Sequence, residues 1–116
     1  HAVSAAAAFV AQSIDAKAIV AFTSSGTTAY RISRERPEVL VVTVTPHLRV
    51  ARRLALLWGA YSLQSTEIQA YDEMVDEAVK HVLKEGIAET NDQIVIVSGV
   101  PFGVPGSTNN LRVATV

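Results

Sequence analysis

Short apolar runs alternate with segments of helical periodicity along this chain, and this pattern is typical of an alternating α/β fold. The apolar runs lack polar alternation, as expected for parallel strands covered by helices on both faces. Thr45 followed by Pro46 is a helix-start signal, and Gly59 and Gly86 are placed to end helices. The predicted helices cover residues 2–14, 27–36, 45–57 and 67–85, and the predicted strands cover residues 17–22, 39–44, 60–63, 93–97 and 110–116.

The order of these elements predicts the topology of the sheet. The link before the last strand is too short for a crossover helix, so this strand should run antiparallel to the fourth. The sequence therefore predicts an α/β fold, a three-layer α/β/α sandwich around a five-stranded mixed sheet with the last strand antiparallel. Ligands of such sheets bind beyond the carboxyl ends of the strands, where the strand order reverses. The first and fourth strands are expected to meet there.

The first strand runs into a segment rich in hydroxyl groups, here named the hydroxyl turn, which opens the second helix. Its residues are Thr23, Ser24, Ser25, Gly26, Thr27 and Thr28. Backbone N–H groups and the positive end of the helix dipole suit a phosphate at such a turn, and Gly26 allows close backbone approach. Alternatively, Ser25 or Thr27 only caps the helix. The expected convergence with the loop after the fourth strand favours the phosphate site.

Composition narrows the class of protein. The 116 residues fit one domain, and the net charge of −1 argues against a charge-driven role on nucleic acid or on a membrane surface. No apolar run approaches the ~20 residues that span a bilayer. Cysteine is absent, which excludes disulfides and thiolate metal sites and fits a reducing compartment.

No catalytic residue or metal ligand can be assigned. The hydroxyl turn lacks the lysine of a P-loop, and no glycine-rich dinucleotide fingerprint follows a strand. The histidines are scattered, and we expect His47 and His81 to lie on helix surfaces. The carboxylates of the long fourth helix read as a solvated face. In the third helix, the residues expected to point inward are Leu48, Ala51, Leu54 and Ala55, and those expected to point outward are Arg49, Arg52 and Arg53. The hydroxyl turn carries no cation of its own, so Arg31 or Arg112 is a candidate partner for a phosphate.

Two separated motifs resemble the C-terminal domains of pyruvate kinases. Residues 23–29 followed by residues 34–37 match the pattern T-x-S-G-x-[ST]-A…R-x-R-P, and residues 99–113 match the closing pattern G-x-x-x-G-x-x-G-x-T-N-x-x-R-V. Residues 41–45, Arg52 and residues 57–60 also fit between them. The resemblance covers essentially all of residues 1–116, in order.

This resemblance implies a regulatory and oligomerisation domain. In the family, phosphoenolpyruvate, ADP, Mg²⁺ and K⁺ bind a barrel domain that this chain lacks, so the chain alone is expected to be inactive and free of cofactors. The domain supplies an effector site and a tetramer interface in a cytoplasmic, glycolytic enzyme. The implied phosphate cradle is the hydroxyl turn, and the implied covering loop contributes Gly103, Pro105, Gly106, Ser107 and Thr108.

Two departures bear on the effector. Family members that bind fructose 1,6-bisphosphate have a tryptophan where this chain has Val100, and an arginine for the second phosphate where it has Met74. We therefore expect AMP or a sugar monophosphate instead of a bisphosphate. Two alternatives stay open: a purely structural oligomerisation domain, and a free-standing module that binds a phosphosugar or nucleotide.

Overall fold

Nine elements make up the part of the chain that the structure, a computed structural model, describes: residues 2–57, 59–65, 71–98 and 110–116. They are, in chain order, α1 (Ala2–Ser13), β1 (Ala18–Phe22), α2 (Thr27–Arg34), β2 (Leu40–Thr45), α3 (Leu48–Leu54), β3 (Ala60–Gln64), α4 (Tyr71–Lys84), β4 (Gln93–Ser98) and β5 (Asn110–Thr115). Every predicted helix and strand is present, with bounds that differ by a few residues.

The described strands form a five-stranded sheet in the order β3-β2-β1-β4-β5. The pairs β1–β2, β2–β3 and β1–β4 are parallel, and β5 runs antiparallel to β4. The chain builds outward from β1 through β2 to β3, and then crosses back to place β4 on the other side of β1. The strand order therefore reverses between β1 and β4, which confirms the predicted fold class.

Two apolar cores fill the spaces on either side of the sheet. One core lies under α4 and joins Met74, Ala78 and Val82 to the sheet residues Val20 and Ile96. The other core lies under α1 and α2. All residues of β1, β2 and β4 except one terminal residue of each strand are buried because helices cover both faces, which explains the absence of polar alternation in these strands.

The start of α3 corrects the sequence prediction. Thr45 still belongs to β2, where it pairs with β3 and accepts a hydrogen bond from the backbone N–H of Ser65. His47 occupies the N-cap instead, and the Thr45 hydroxyl accepts its N–H at 3.3 Å. Thr45 is therefore not the N-cap of α3. It stabilises the turn before the helix from a position two residues before the N-cap His47.

The end of α3 and its inward face also differ from the prediction. The helix ends at Leu54 instead of Leu57, because the N–H groups of Leu56 and Leu57 bond to carbonyls three residues earlier and tighten the last turn. Leu48 and Ala55 were expected to point inward, but Leu48 is 45% exposed and Ala55 is exposed as well. The buried residues of α3 are Ala51 and Leu54.

The prediction that His81 lies on the helix surface is wrong. Its side chain is only 15% exposed, and Nε2 lies 3.2 Å from Oε2 of Glu77 without hydrogen-bonding alignment. Glu77 also accepts a hydrogen bond from the Ser65 hydroxyl and lies 3.9 Å from the Lys80 ammonium. This part of α4 is therefore a partly buried polar cluster, whereas Glu73 and Asp76 are exposed as predicted.

Candidate functional site

The hydroxyl turn lies at the carboxyl end of β1, the central strand, beside the point where the strand order reverses. The backbone N–H of Thr23 still bonds to the Val44 carbonyl of β2, so the turn begins on the edge of the sheet. Immediately beyond it, α2 begins at Thr27. The sequence argument thus located the turn correctly in the fold, and β4 does lie next to β1.

Short hydrogen bonds within the hydroxyl turn fix its shape. The Thr23 hydroxyl, which is buried, accepts the N–H of Gly26 at 2.8 Å. The hydroxyls of Ser25 and Thr27 lie 3.0 Å apart, and Ser25 Oγ also accepts the N–H of Thr27 at 3.4 Å. A hydroxyl can exchange such partners for a ligand oxygen at small cost, because it both donates and accepts. Ser24 and Thr28 complete the turn, half-buried and buried respectively.

Gly26 is the N-cap of α2 and has a left-handed backbone, with φ 98° and ψ −9°. A side chain in this conformation is strained, so glycine is the natural residue here. The alternative in which Ser25 or Thr27 occupies the N-cap is therefore incorrect, although Ser25 does bond weakly to the first turn. The first turn of α2 carries no acidic residue, so no carboxylate of the helix offsets its positive end.

Arg53 brings a positive charge to the hydroxyl turn. Its guanidinium Nη2 donates to the Ser25 carbonyl at 2.7 Å. A Cβ built on Gly26 would lie 3.3 Å from the same nitrogen and 3.3 Å from Cδ2 of Leu54, so α3 packs closely against the turn. Because the acceptor is a neutral carbonyl, the charge of Arg53 is not cancelled by this contact.

Sequence reasoning expected Arg53 to point outward, and it is exposed, but its contact with the hydroxyl turn was missed. Its contact with the turn depends on two facts that only the topology supplies: β2 neighbours β1, and α3 follows β2. Side chains of a helix lean towards its N-terminus, so Arg53 reaches back towards the sheet edge where α3 begins. The two arginines considered instead, Arg31 and Arg112, lie on α2 and β5 and have interactions of their own.

Several predicted residues lie outside the described part of the chain. These are the covering-loop residues Gly103, Pro105, Gly106, Ser107 and Thr108, together with Val100 and Trp58. Met74 is described, and it is completely buried in the core under α4. A position inside this core cannot present an arginine to a ligand, so Met74 is not the equivalent of the arginine that serves the second phosphate, and the expected departure at Met74 does not bear on the effector.

The described residues provide neither a metal-binding group nor a membrane-spanning helix. No three histidine, aspartate or glutamate side chains there come together as a group that could hold a metal ion. No helix of the described segments has the length and apolar character needed to cross a membrane.

Comparison with known proteins gives a consistent family. The model of the family described as pyruvate kinase, alpha/beta domain, matches residues 1–114. A pyruvate kinase of Agrobacterium vitis is 52% identical over 113 residues, covering 97% of this chain and 24% of the relative. A second from the same organism is 46% identical over 100% of this chain and 24% of the relative. That of Geobacillus stearothermophilus is 38% identical over 94% of this chain and 19% of the relative.

The chain therefore spans about a quarter of the length of the first of these relatives. The match runs through both of the motifs quoted above and through every element of the sheet, and it agrees with the observed mixed sheet and antiparallel last strand. The chain belongs to the pyruvate kinase alpha/beta domain family.

Proposed function

We propose that this chain is the regulatory and oligomerisation domain of a pyruvate kinase, which transfers a phosphoryl group from phosphoenolpyruvate to ADP and yields pyruvate and ATP. Family membership and the names of its relatives support this proposal. The catalytic step belongs to the remainder of the parent enzyme, and the isolated chain is inactive.

The hydroxyl turn binds the phosphate group of a small effector. The observation that carries this proposal is the arrangement at Gly26: a left-handed N-cap, a helix start without carboxylates, and the Arg53 guanidinium against the same turn. Hydroxyl and backbone donors would hold phosphate oxygens, while Arg53 and the helix dipole would balance the negative charge. Arg53 thus fills the role for which the sequence offered Arg31 or Arg112.

The effector is AMP or a sugar monophosphate. The Arg53 guanidinium that contacts the turn suits one phosphate group. Binding biases the quaternary state of the full homotetrameric enzyme only if one state binds the effector better, typically by ~1–3 kcal/mol.

Mg²⁺ and K⁺ belong to the catalytic part of the parent enzyme. The described residues of this chain do not fit a metal site, because they provide no group of three acidic or histidine ligands. The proposed setting is the cytoplasm, where glycolytic phosphoryl transfer takes place. Nucleic acids and membranes are not among the proposed partners, in keeping with the net charge of −1.

A purely structural oligomerisation domain is the second candidate, and two surface features favour it. Phe9 on α1 is 72% exposed, and Val113 on β5 is 39% exposed. The outer edge of β5 has no strand partner among the described residues, and such an edge can pair with a second copy. A free-standing phosphosugar or nucleotide module is a third possibility, and the length of the parent reading frame decides it.

A thermal-shift titration tests effector binding. The chain is titrated with AMP, ribose 5-phosphate, glucose 6-phosphate and fructose 1,6-bisphosphate, with adenosine and ribose as unphosphorylated controls. A monophosphate at ~100 times its Kd should stabilise the fold by ~2.7 kcal/mol and raise Tm, whereas adenosine and ribose should not.

Two outcomes of this titration would contradict part of the proposal. A larger shift with fructose 1,6-bisphosphate than with any monophosphate would overturn the choice of effector. No shift with any ligand at millimolar concentration, repeated on the full-length enzyme, would favour the purely structural candidate.

A further inference from the structure

The outward side of α3 exposes apolar and cationic side chains next to one another. We name Leu48, Arg49, Arg52 and Leu56 the α3 outer face. Leu56 is 88% exposed, the largest value among the exposed large hydrophobic residues described, and Leu48 is 45% exposed. Arg49 and Arg52 are also exposed. Positions 48, 52 and 56 are four residues apart, so they follow one line along the helix and its last turn.

The arginines of this face have no acidic partner among the residues that the structure describes. Residues 39–66 contain no aspartate or glutamate. Within the described part of the chain, Arg49 and Arg52 make no hydrogen bond or ion pair, whereas Arg53 on the same helix bonds to the hydroxyl turn. Two positive charges one helical turn apart are therefore available to a partner with two suitably spaced carboxylates.

The leucines limit the kind of partner. A single exposed leucine is ordinary, but two leucines at the ends of a cationic line form a combined surface. Burial of an exposed leucine favours association, and arginine is enriched at protein interfaces. A nucleic acid backbone would pair with the arginines, but it would gain nothing from Leu48 and Leu56, and the net charge of the chain is −1.

We propose that the α3 outer face is a docking surface for an acidic protein segment that carries apolar side chains beside its carboxylates. Charge complementarity selects this occupant: a second copy of the same face would oppose arginine to arginine. The inference goes beyond effector binding, because none of the four residues belongs to the hydroxyl turn.

Fluorescence anisotropy of labelled probes tests the docking surface. The main probe is a helical peptide of about 20 residues with glutamates three residues apart between leucines. The second probe has lysine in place of each glutamate, and the third is a single-stranded DNA of equal length. The variants are Arg49→Gln/Arg52→Gln and Leu56→Ser. Their matched controls are Arg34→Gln, at an exposed arginine on α2, and Leu83→Ser, at a leucine of α4 that is 44% exposed.

The acidic peptide should bind the chain and the lysine peptide should not. The double arginine variant should raise the Kd of the acidic peptide by about fivefold or more, and Leu56→Ser should raise it by about tenfold. The two control variants should change it by less than about twofold. All of these side chains are exposed, so thermal unfolding of each variant should match that of the parent chain.

Three results would overturn the docking surface. An equal loss of affinity for the acidic peptide in Arg34→Gln and in the double arginine variant would show that the peptide is attracted by the overall charge and not by this face. An unchanged Kd with Leu56→Ser would remove the apolar part of the surface. Tighter binding of DNA than of the acidic peptide would assign the arginines to a nucleic acid.

Discussion

Gly26 sets the geometry of the hydroxyl turn because it combines two constraints at one residue. Its φ of 98° is unfavourable for a residue with a side chain, and its missing Cβ leaves space for Arg53 and Leu54. Both constraints act on the candidate site, since the N–H of Gly26 bonds to Thr23 and the Arg53 guanidinium reaches the neighbouring Ser25 carbonyl.

Gly26→Ala should destabilise the fold by about 2 kcal/mol, from backbone strain together with crowding against α3. The matched control is Gly86→Ala, because Gly86 has a φ of 70° but nothing within 4 Å of a built Cβ. The control should cost about 1 kcal/mol, from strain alone. Urea unfolding of both variants measures the difference. Equal losses would mean that α3 accommodates the added methyl group without cost, and would contradict the predicted crowding at Gly26.

The hydroxyl turn could be found from sequence because its signals are local: an apolar strand, hydroxyls, one glycine and a helix. Arg53 could not be found in this way, because its place beside Ser25 depends on the contact between α3 and the turn that opens α2. The complete burial of Met74 could not be found from sequence either. A flexible methionine side chain fills core space without a strong periodic signal of its own.

Two hydrogen bonds connect α4 and the residue after it to the edge strand β3 and the residue after that strand. The Tyr61 hydroxyl donates to Oε1 of Glu85 at 2.5 Å, and the Ser65 hydroxyl, just beyond β3, donates to Oε2 of Glu77 at 3.4 Å. The hydrogen bond to Glu85, followed by the charge of Glu85 and by burial, raises the pKa of Tyr61 above its ordinary value of 10.0.

This shift predicts a stability change in alkaline solution. Below the ordinary pKa of tyrosine the contact with Glu85 contributes fully, because Tyr61 is protonated in both the folded and the unfolded chain. As pH rises from 10.0 through the raised pKa, the unfolded chain loses the proton first, so the free energy of unfolding falls.

Ultraviolet absorbance of the phenolate follows this titration, and Tyr61→Phe identifies the part of the signal due to Tyr61. Glu85→Gln should lower the midpoint for Tyr61, because it removes the negative charge that opposes ionisation. An unchanged midpoint in this variant would contradict the role of Glu85.

Among the helices and strands, those with the strongest local sequence signal were predicted most accurately. Buried strands such as β1 and β4 were predicted to within one residue, since continuous apolar runs between turn residues have few other interpretations. α3 was the least accurate, because the strand ladder of β2 holds Thr45 and delays the helix start to Leu48. Pairing across a sheet is a long-range property that a cap signal cannot reveal.

At the scale of the whole molecule, the helices on the two sides of the sheet differ in charge. α2 and α3 carry most of the arginines, and α4 begins with acidic residues. The antiparallel β5 was predictable from the short link alone, and the position of the candidate site followed from the reversal of strand order. The exposure of Phe9 was not predictable, because helical periodicity alone does not reveal which face of an alanine-rich helix stays uncovered.

If the chain self-associates through α1 and β5, Phe9→Ser should weaken the dimer. Loss of an exposed aromatic contact should raise the dimer Kd by about tenfold, measured by sedimentation velocity over a range of concentrations. Leu83→Ser on α4, on the other side of the sheet, is the control and should leave the Kd unchanged. A chain that stays monomeric at all concentrations would argue against this interface in the isolated domain.

The most direct test of the phosphate site compares two substitutions of Ser25 whose new side chains, asparagine and aspartate, have nearly the same shape and differ in charge. Isothermal titration with AMP and with ribose 5-phosphate is carried out on the parent chain, Ser25→Asn and Ser25→Asp. Ser25 precedes the N-cap Gly26, and its hydroxyl accepts the N–H of Thr27 at 3.4 Å. An asparagine or aspartate oxygen can accept the same N–H, so Tm should hold in both variants. The asparagine variant should bind within a few-fold of the parent chain. The aspartate variant should lose at least about tenfold in affinity, because its charge opposes the phosphate. Equal affinity in the two variants would contradict phosphate binding at the hydroxyl turn.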